Sequence, residues 1–423
     1  MPSATMVACL ACKINLVFLK CMTILTPLES DLTPLTRRRW TPPPGAGHAR
    51  PRAAIHVTHM HCRRPAAMQR GGHAWSRSSV SSRHSTGNEN MTGPPNRVFG
   101  AGVGLVWGSM DSLSEAEYQE ALAMLSDFGC TELDTARIYG GGKAEAGLGA
   151  ALHAAPVPLR ESFVVHSKAS PNQTYGTLSA AGLQTQGRTT MAALRLDQLD
   201  IYYLHSVDEH TDLVETLEQI NEMHKHGMFR RFGLSNFSAW QTTQAWYICK
   251  QRGWVLPSVY QGLYNPLSRS VEFEVLPACK TLGIAFYAYS PLAGGVLARS
   301  TSTARAGYRS GMTALIGGRG DEGRAAAEEA MRKVEAACDR CVPPVKLRDV
   351  AFRWFFHHSA LGPGDAVIGG ASKLSQIAEN LQALDADNGP LPEPVLAALE
   401  GAWAAVAGPP YHPTPRVAPV AKL

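Results

Sequence analysis

The sequence predicts a (β/α)8 barrel with a disordered N-terminal extension, and three observations carry that fold class. From Val98 onward, short β-rich runs alternate with amphipathic helical runs. The strand runs are nearly continuous in apolarity, as strands covered on both faces must be. Eight such pairs fit in about 290 residues, the size of one closed barrel. The candidate strands are Val103–Val106, Glu132–Thr135, Phe163–Ser167, Leu199–His205, Phe232–Leu234, Ser258–Gln261, Ala285–Ala288 and Ala366–Ile368. Helical patterns between them include Ser114–Phe128, Thr211–His226, Ala239–Arg252, Val271–Leu282 and Ser372–Leu384. A doubly wound sheet is the competitor, and it would place G-x-G-x-x-G at the turn after its first strand. Here Gly100, Gly102 and Gly104 fall within the first strand pattern instead, which favours the barrel.

Charge divides the chain in the same place as pattern does. The formal balance of the 423 residues is +5, but residues 1–90 hold 12 Lys+Arg against three acids (Glu29, Asp31, Glu89). The remaining 28 bases and 32 acids leave about −4 for the rest of the chain. A basic protein seeking nucleic acid or a membrane surface is therefore not what the composition describes. Residues 1–90 show no sustained period of 2 or 3.6 and are expected to be disordered, with 91–423 forming the barrel and a C-terminal tail. An Arg- and Ser-rich, acid-poor start reads as an organellar transit peptide, with translated upstream sequence as the alternative. The first reading places the protein in a chloroplast or mitochondrion, the second in the cytoplasm. Ile14 to Leu28 is interrupted by Lys20 and too short to span a bilayer. Nine cysteines, four of them in residues 1–90, fit a reducing compartment. Cys338-Asp-Arg-Cys341 lacks the second ligand pair that zinc needs, so no metal is expected.

Functional groups of such barrels gather at the C-terminal ends of the strands. Strand two ends in Asp134-Thr-Ala-Arg-Ile-Tyr139, strand three in His166-Ser-Lys168 and strand four in Tyr202-Tyr-Leu-His205. Strand five ends in Gly233-Leu-Ser-Asn236, and strand six carries Tyr260-Gln-Gly-Leu-Tyr264. Strand seven runs into Tyr289-Ser-Pro-Leu-Ala-Gly-Gly295, and strand eight into Gly369-Gly-Ala-Ser-Lys373. A phenol with an ordinary pKa of about 10 is a poor acid near neutrality. An ammonium beside it favours the phenolate, a carboxylate fixes the ammonium, and an imidazole can hold a carbonyl oxygen against the phenol. Asp134, Tyr139, Lys168 and His205 could protonate a carbonyl oxygen as hydride reaches its carbon, and that hydride must come from a cofactor. Taken singly, Asp134 reads as a turn or cap residue, Tyr139 and His205 as packed polar residues, and His357-His358 as a helix end. Lys168 is the odd one, because a Lys on a buried strand demands a partner.

Together these segments resemble the aldo-keto reductase superfamily. The carriers are Asp134-Thr-Ala-x-x-Tyr139, the Lys168 strand, Tyr-Tyr-Leu-His205, Gly-Leu-Ser-Asn236 and the Gly-Ala-Ser loop with Asn380. Gly253-Trp-Val-Leu-Pro257, Val259-Tyr-Gln-Gly-Leu-Tyr-Asn265, Ser290–Gly295 and Trp354-Phe-Phe-His-His-Ser359 are similar to the aflatoxin-aldehyde-reductase branch. The match runs from about Val98 to Tyr411. The resemblance implies an NADPH-dependent reduction of aldehydes, ketones and dicarbonyls, with Tyr139 as general acid and Lys168 lowering its pKa. Asp134 would then orient Lys168, and His205 would orient the substrate. It further implies that Ser235, Asn236 and Gln261 meet the nicotinamide carboxamide, with Tyr289 beside the nicotinamide. Ser290, Pro291, Leu292 and Gly294 would follow the pyrophosphate. Gly370, Ser372 and Lys373 would take the 2′-phosphate end, and Gln376 and Asn380 the adenine. A homodimer is compatible with the resemblance. A nucleotide-sensing subunit of the potassium-channel β type, with slow turnover, shares the same four residues and stays open as an alternative.

Three segments depart from the branch. Ala298 to Arg324 is a shorter, Gly-, Ser- and Arg-rich lid in which Arg299, Arg305 and Arg309 are the candidate anchors. The tail Pro409-Pro-Tyr-His-Pro-Thr-Pro-Arg416 replaces an aromatic-then-Arg ending, which weakens the case for acidic aldehydes. Gly182 and Gly187 predict an irregular third helix, since interior Gly costs roughly 1 kcal/mol relative to Ala.

Overall fold

Eight parallel strands close into a barrel, each paired with its sequence neighbours. They are β1 Asn96–Phe99, β2 Glu132–Asp134, β3 Val164–Ala169, β4 Leu199–Leu204, β5 Phe229–Ser235, β6 Pro257–Leu263, β7 Ala285–Tyr289 and β8 Ala366–Gly369. β1 completes the ring by pairing with both β2 and β8. This computed structural model describes residues 96–99, 114–171, 177–301, 312, 320–371, 373–385 and 389–407. All of them belong to the unit Ser85–Leu423. The expected leader, most of the lid, Arg305, Arg309, Ser372 and the Pro-rich tail lie outside the described residues.

Seven strands lie where the apolar runs place them, and the first does not. It was expected at Val103–Val106, a span outside the described residues, and is found at Asn96–Phe99. Val98 and Phe99 are good strand formers, whereas glycine at alternate positions from 100 to 104 is a poor one. Pairing of Asn96–Phe99 with Ala366–Gly369 residue by residue settles the register.

The described helices are α1 Glu115–Asp127, α2 Lys143–Ala154, α3 Val157–Arg160, α4 Ala180–Leu194, α5 Leu213–Lys225 and α6 Ala239–Arg252. They continue with α7 Val275–Leu282, α8 Gly320–Asp339, α9 Leu347–His357, α10 Leu374–Asp385 and α11 Glu393–Ala407. Capping fixes several starts. Ser114 and Glu117 form a reciprocal capping box on α1, and Ser238 and Gln241 form one on α6, each satisfying two otherwise orphaned N–H groups. Asp212 caps α5 by accepting from the Val214 N–H at 2.7 Å. No helix among the described residues is long and apolar enough to cross a membrane.

The irregular third helix is a correction. α4 runs unbroken over 15 residues, through both glycines. A Cβ at Gly187 would stand 2.7 Å from Met223 Cε, and one at Gly182 would stand 2.1 Å from the Thr177 carbonyl. The glycines let α4 pack closely against its surroundings, and that contact outweighs their low propensity. The cysteine pair is packing too: Cys338 is buried, and Cys341 Sγ donates to the Ala337 carbonyl at 3.3 Å. His358 ends α9, and its Nε2 accepts the Leu391 N–H at 2.9 Å.

Strand alternation sorts side chains into two shells. Val165, Tyr202, Phe232, Leu234, Tyr260, Phe286 and Val367 point outward into the main core under the helices. Ile201, Tyr203, Val259, Tyr287, Ala366 and Ile368 fill the lumen. The lumen packs tightly: a Cβ at Gly233 would lie 2.2 Å from Tyr203 Cδ1, so only glycine on β5 leaves room for that ring. Lys168 and His166 belong to this inward set, two residues apart on β3 and fully buried.

Candidate active site

Because β2, β3 and β4 are adjacent and in register, their C-terminal ends deliver Asp134, Lys168 and His205 to one rim. Lys168 Nζ donates to Asp134 Oδ2 at 2.5 Å and to the Thr135 carbonyl at 2.8 Å. Gln261 Nε2, arriving from β6, donates to the other oxygen of Asp134 at 2.9 Å. The carboxylate is therefore held on both sides. Nζ also stands 5.1 Å from the centroid of the Tyr139 ring, and that ring meets His205 edge-on with centroids 5.7 Å apart. All four residues singled out in the sequence come together, with Gln261 added through Asp134.

The loop that presents Tyr139 is clamped. Arg137 pairs with Glu145 on α2 at 2.5 Å, and Glu145 is fully buried. Its other oxygen accepts from Ser167 at 2.6 Å and from Thr190 at 2.9 Å. Gly140, Gly141 and Gly142 all take positive φ just after Tyr139, which turns the chain sharply into α2. Neither Arg137 nor Glu145 stood out in the sequence. An acid three residues after a run of three glycines is the sequence signal that could have exposed them.

Enclosure sets the protonation states. Tyr139 and His205 are partly open at the mouth and walled by protein elsewhere. Enclosure raises the Tyr139 pKa; Lys168 opposes this and Asp134 adds to it, so the net shift is upward. The ammonium favours the phenolate as expected, but does not overcome desolvation, and Tyr139 stays a phenol. Burial disfavours the Lys168 cation, yet the Asp134 carboxylate outweighs it and the pKa is raised. His205 is pushed down to about 3, by enclosure first and by the Lys168 charge second. Near neutrality the rim therefore holds a neutral phenol, an ammonium and a neutral imidazole.

The neighbouring strand ends form a second, linked group. Asn236 takes a left-handed backbone (φ 58°) and donates through Nδ2 to the His205 carbonyl at 2.9 Å and to Ser235 Oγ at 3.1 Å. Tyr289 OH donates to Asn236 Oδ1 at 3.0 Å, and enclosure with Tyr139 nearby pushes its pKa up to about 12. After β7 the chain turns through Ser290 (φ 58°), Ala293 (51°), Gly294 (65°) and Gly295 (91°). Such left-handed residues mark a loop shaped for something other than its own comfort. Asn265, fully buried, pins it by donating Nδ2 to the Ser290 carbonyl at 3.0 Å. Pro291 and Leu292 lie within this turn, and Arg299 just beyond it is exposed. Past β8, Asn380 Nδ2 donates to the Gly370 carbonyl at 3.1 Å, while its buried Oδ1 has no hydrogen-bond partner among the described residues. Lys373 is exposed and Gln376 half-buried on the first turn of α10.

A deeper polar layer lies below the tetrad. Glu132, His166 and Asp200 bring ligand-type atoms within 4.8 Å of one another. Strand alternation alone could have hinted at it, since Glu132 and His166 sit two residues before Asp134 and Lys168. Arg231 pairs with Asp200 and reaches Glu132 at 3.5 Å, while His166 Nε2 is 3.2 Å from Glu132 and 3.3 Å from Asp200. Burial alone would lower the His166 pKa, but these two acids win and raise it. Asp200 falls to about 2 despite its own burial, through His166 and Arg231. Arg231 and the imidazole whose protonation is favoured thus face the Glu132 and Asp200 carboxylates as one buried charge cluster.

The aldo/keto reductase family model matches residues 99–404. Oxidoreductase sirO of Leptosphaeria maculans is 36% identical over 292 residues, covering 67% of this chain and 85% of that protein. Aflatoxin B1 aldehyde reductase member 2 of Rattus norvegicus is 34% identical over 341 residues, covering 74% and 88%. Human aldo-keto reductase family 7 member A3 is 35% identical over 294 residues, covering 65% and 85%. With its barrel and rim residues in place, and the family model spanning most of its length, this chain belongs to the aldo/keto reductase family of oxidoreductases.

Proposed function

We propose that this chain is an NADPH-dependent reductase that converts aldehydes and dicarbonyls to alcohols, with Tyr139 as the general acid. The observation that carries the reading is the Lys168–Asp134 pair, 2.5 Å apart, beside the Tyr139 phenol and the His205 ring. The aflatoxin aldehyde reductases among its relatives supply the substrate class. Tyr139 holds a proton, and Lys168 stands close enough to stabilise the phenolate left when that proton is given up. Asp134, gripped by Gln261, keeps the ammonium aimed. His205, neutral, can hold the carbonyl oxygen without competing as the acid.

The residues present fit a dinucleotide. The Asn380 Nδ2 must face the Gly370 carbonyl, so its Oδ1, with no partner among the described residues, is an acceptor for an amine such as that of adenine. A Cβ at Gly295 would meet nothing within 4 Å among the described residues, which leaves the turn after β7 room for a phosphate chain. Ser235, Asn236, Gln261 and Tyr289 would hold the nicotinamide end, and Ser290, Pro291, Leu292 and Gly294 the pyrophosphate. Gly370, Ser372 and Lys373 would hold the 2′-phosphate, and Gln376 and Asn380 the adenine. NADPH bound there would supply the hydride.

The test is NADPH oxidation by the full chain with 4-nitrobenzaldehyde, methylglyoxal and succinic semialdehyde. Tyr139→Phe should abolish turnover and retain NADPH binding. Tight NADPH binding without turnover on any carbonyl would overturn the reductase reading in favour of a nucleotide sensor. Lys373→Ala should weaken NADPH more than NADH, and equal losses would refute the 2′-phosphate role.

A further inference from the structure

Ser170 follows β3 directly and is 3% exposed. Its N–H donates to Gln186 Oε1 at 2.9 Å, and Gln186, buried on α4, anchors itself by donating to the Thr177 carbonyl at 3.3 Å. The Ser170 Oγ then lies 2.8 Å from His205 Nδ1. His205 is held from its backbone as well: its N–H donates to the Ala169 carbonyl at 2.8 Å, and its carbonyl accepts from Asn236. Helix, strand and ring are thereby tied into one chain of contacts.

A heavy-atom distance does not say which atom carries the proton. Satisfaction of the hydroxyl does. Among the described residues, Ser170 Oγ has no hydrogen-bond partner other than His205 Nδ1. A buried hydroxyl proton left without an acceptor is costly, so it points at Nδ1. A neutral imidazole whose Nδ1 accepts must carry its own proton on Nε2. Enclosure and the Lys168 charge independently keep the ring from becoming an imidazolium.

We propose that Ser170 is a positioning residue that fixes His205 as the Nε2–H tautomer, so that the ring's open nitrogen meets a substrate oxygen as a donor. The opposite tautomer would turn a lone pair toward that oxygen and repel it. This inference rests on the reading of His205 as the group that holds a carbonyl. Its structural half, the tautomer, is measurable without turnover.

The experiment is nitrogen-15 NMR of the full chain labelled at histidine, with the His205 signals assigned by their loss in His205→Asn. Wild type should show the Nε2–H pattern throughout pH 5–8. Ser170→Ala should give averaged, mixed-tautomer shifts, and Ser170→Thr should restore the pattern. In NADPH oxidation with 4-nitrobenzaldehyde, Ser170→Ala should lower kcat/KM about tenfold, the worth of one neutral hydrogen bond, with NADPH affinity unchanged and activity rescued by Thr. An Nδ1–H pattern in wild type, or an unaltered pattern in Ser170→Ala, overturns the proposal. Absence of turnover on any carbonyl overturns the reductase reading instead, and the wild-type spectrum still decides the tautomer.

Discussion

Asp134→Asn keeps the shape of the rim and removes one charge, which makes it the sharpest probe of the Lys168–Asp134 pair. At 2.5 Å the pair's Coulomb attraction is about 7 kcal/mol with an effective dielectric of about 20. Desolvation of two buried ions offsets most of this, so the intact pair adds little net stability. Breaking it is a different matter. Lys168, with no exposed surface, is left with the Thr135 carbonyl and no counter-ion. The folded variant can avoid a naked cation by losing the proton, at about 1.36 kcal/mol per pH unit below the ordinary lysine value of about 10.4. That sets a ceiling of about 4–5 kcal/mol at pH 7 and about 1 kcal/mol at pH 9.5.

The sign follows from linkage. In the wild type the Lys168 pKa is raised, so its contribution is complete below about 10.5 and is lost only as pH climbs beyond that. In the variant the folded pKa falls below the unfolded one, so the unfolded chain binds more protons and stability rises with pH. Urea unfolding followed by tryptophan fluorescence should show a deficit of about 3–5 kcal/mol at pH 7 that shrinks to about 1 at pH 9.5. Adding Lys168→Met should recover most of the deficit at pH 7. A deficit that does not change with pH, or a double variant no better than the single one, would refute a buried ion pair as the organising element of the rim.

Three further perturbations follow from the packing and the charge layers. Gly233→Ala should lower stability by about 1–3 kcal/mol in thermal melts, because its Cβ would stand 2.2 Å from Tyr203, and Tyr203→Leu in the same chain should return part of the loss. Glu145→Ala removes the buried carboxylate that Arg137, Ser167 and Thr190 share beside the Tyr139 loop; it should cost about 3–5 kcal/mol in urea unfolding, less if Arg137→Met is added. His166, faced by Glu132, Asp200, Arg231, Tyr203 and Tyr287, has a raised folded pKa. Its contribution should be complete below about 6.5 and fade as pH rises through the folded value. His166→Gln should flatten that slope in urea midpoints measured from pH 5.5 to 9.

Much of the barrel was legible because its evidence is local. Short runs of three to seven residues mark strands β2 to β8, and the Ser-x-x-Glu and Ser-x-x-Gln signatures mark the starts of α1 and α6. β1 lies at Asn96–Phe99, just upstream of the glycine-rich apolar run to which the pattern pointed and which lies outside the described residues. α4 was underrated because the value of Gly187 lies in Met223, 36 positions away. The rim residues were legible as a set: only Lys168 on a covered strand is odd alone, while Asp134 at the neighbouring strand end and Tyr139 five residues later are ordinary singly and specific together. Their second partners were not legible. Gln261 on Asp134, Ser170 on His205 and Asn265 on Ser290 are contacts between ordinary polar residues far apart in sequence. Only the closed register of the sheet brings them together.

A single physical cause, exclusion of water from one rim, gives these groups three different protonation states. Exclusion penalises the charged form of each: it keeps Tyr139 protonated and His205 neutral, and it would neutralise Lys168 as well. Lys168 escapes because Asp134 lies against it, and Asp134 can do so because Gln261 engages its other oxygen. The one stabilised cation then acts on both neighbours, opposing the rise in the phenol's pKa and deepening the fall in the imidazole's. Under the proposed function, Tyr139 gives the proton to the carbonyl oxygen and the imidazole holds that oxygen. That division depends on His205 being unable to take up a proton near neutrality. A carboxylate introduced at Ser170, 2.8 Å from Nδ1, should undo it by favouring the imidazolium. Ser170→Asp should bring the His205 titration back toward the ordinary histidine range of about 6.5, read by the same histidine NMR, and leave activity falling as pH drops through that new value.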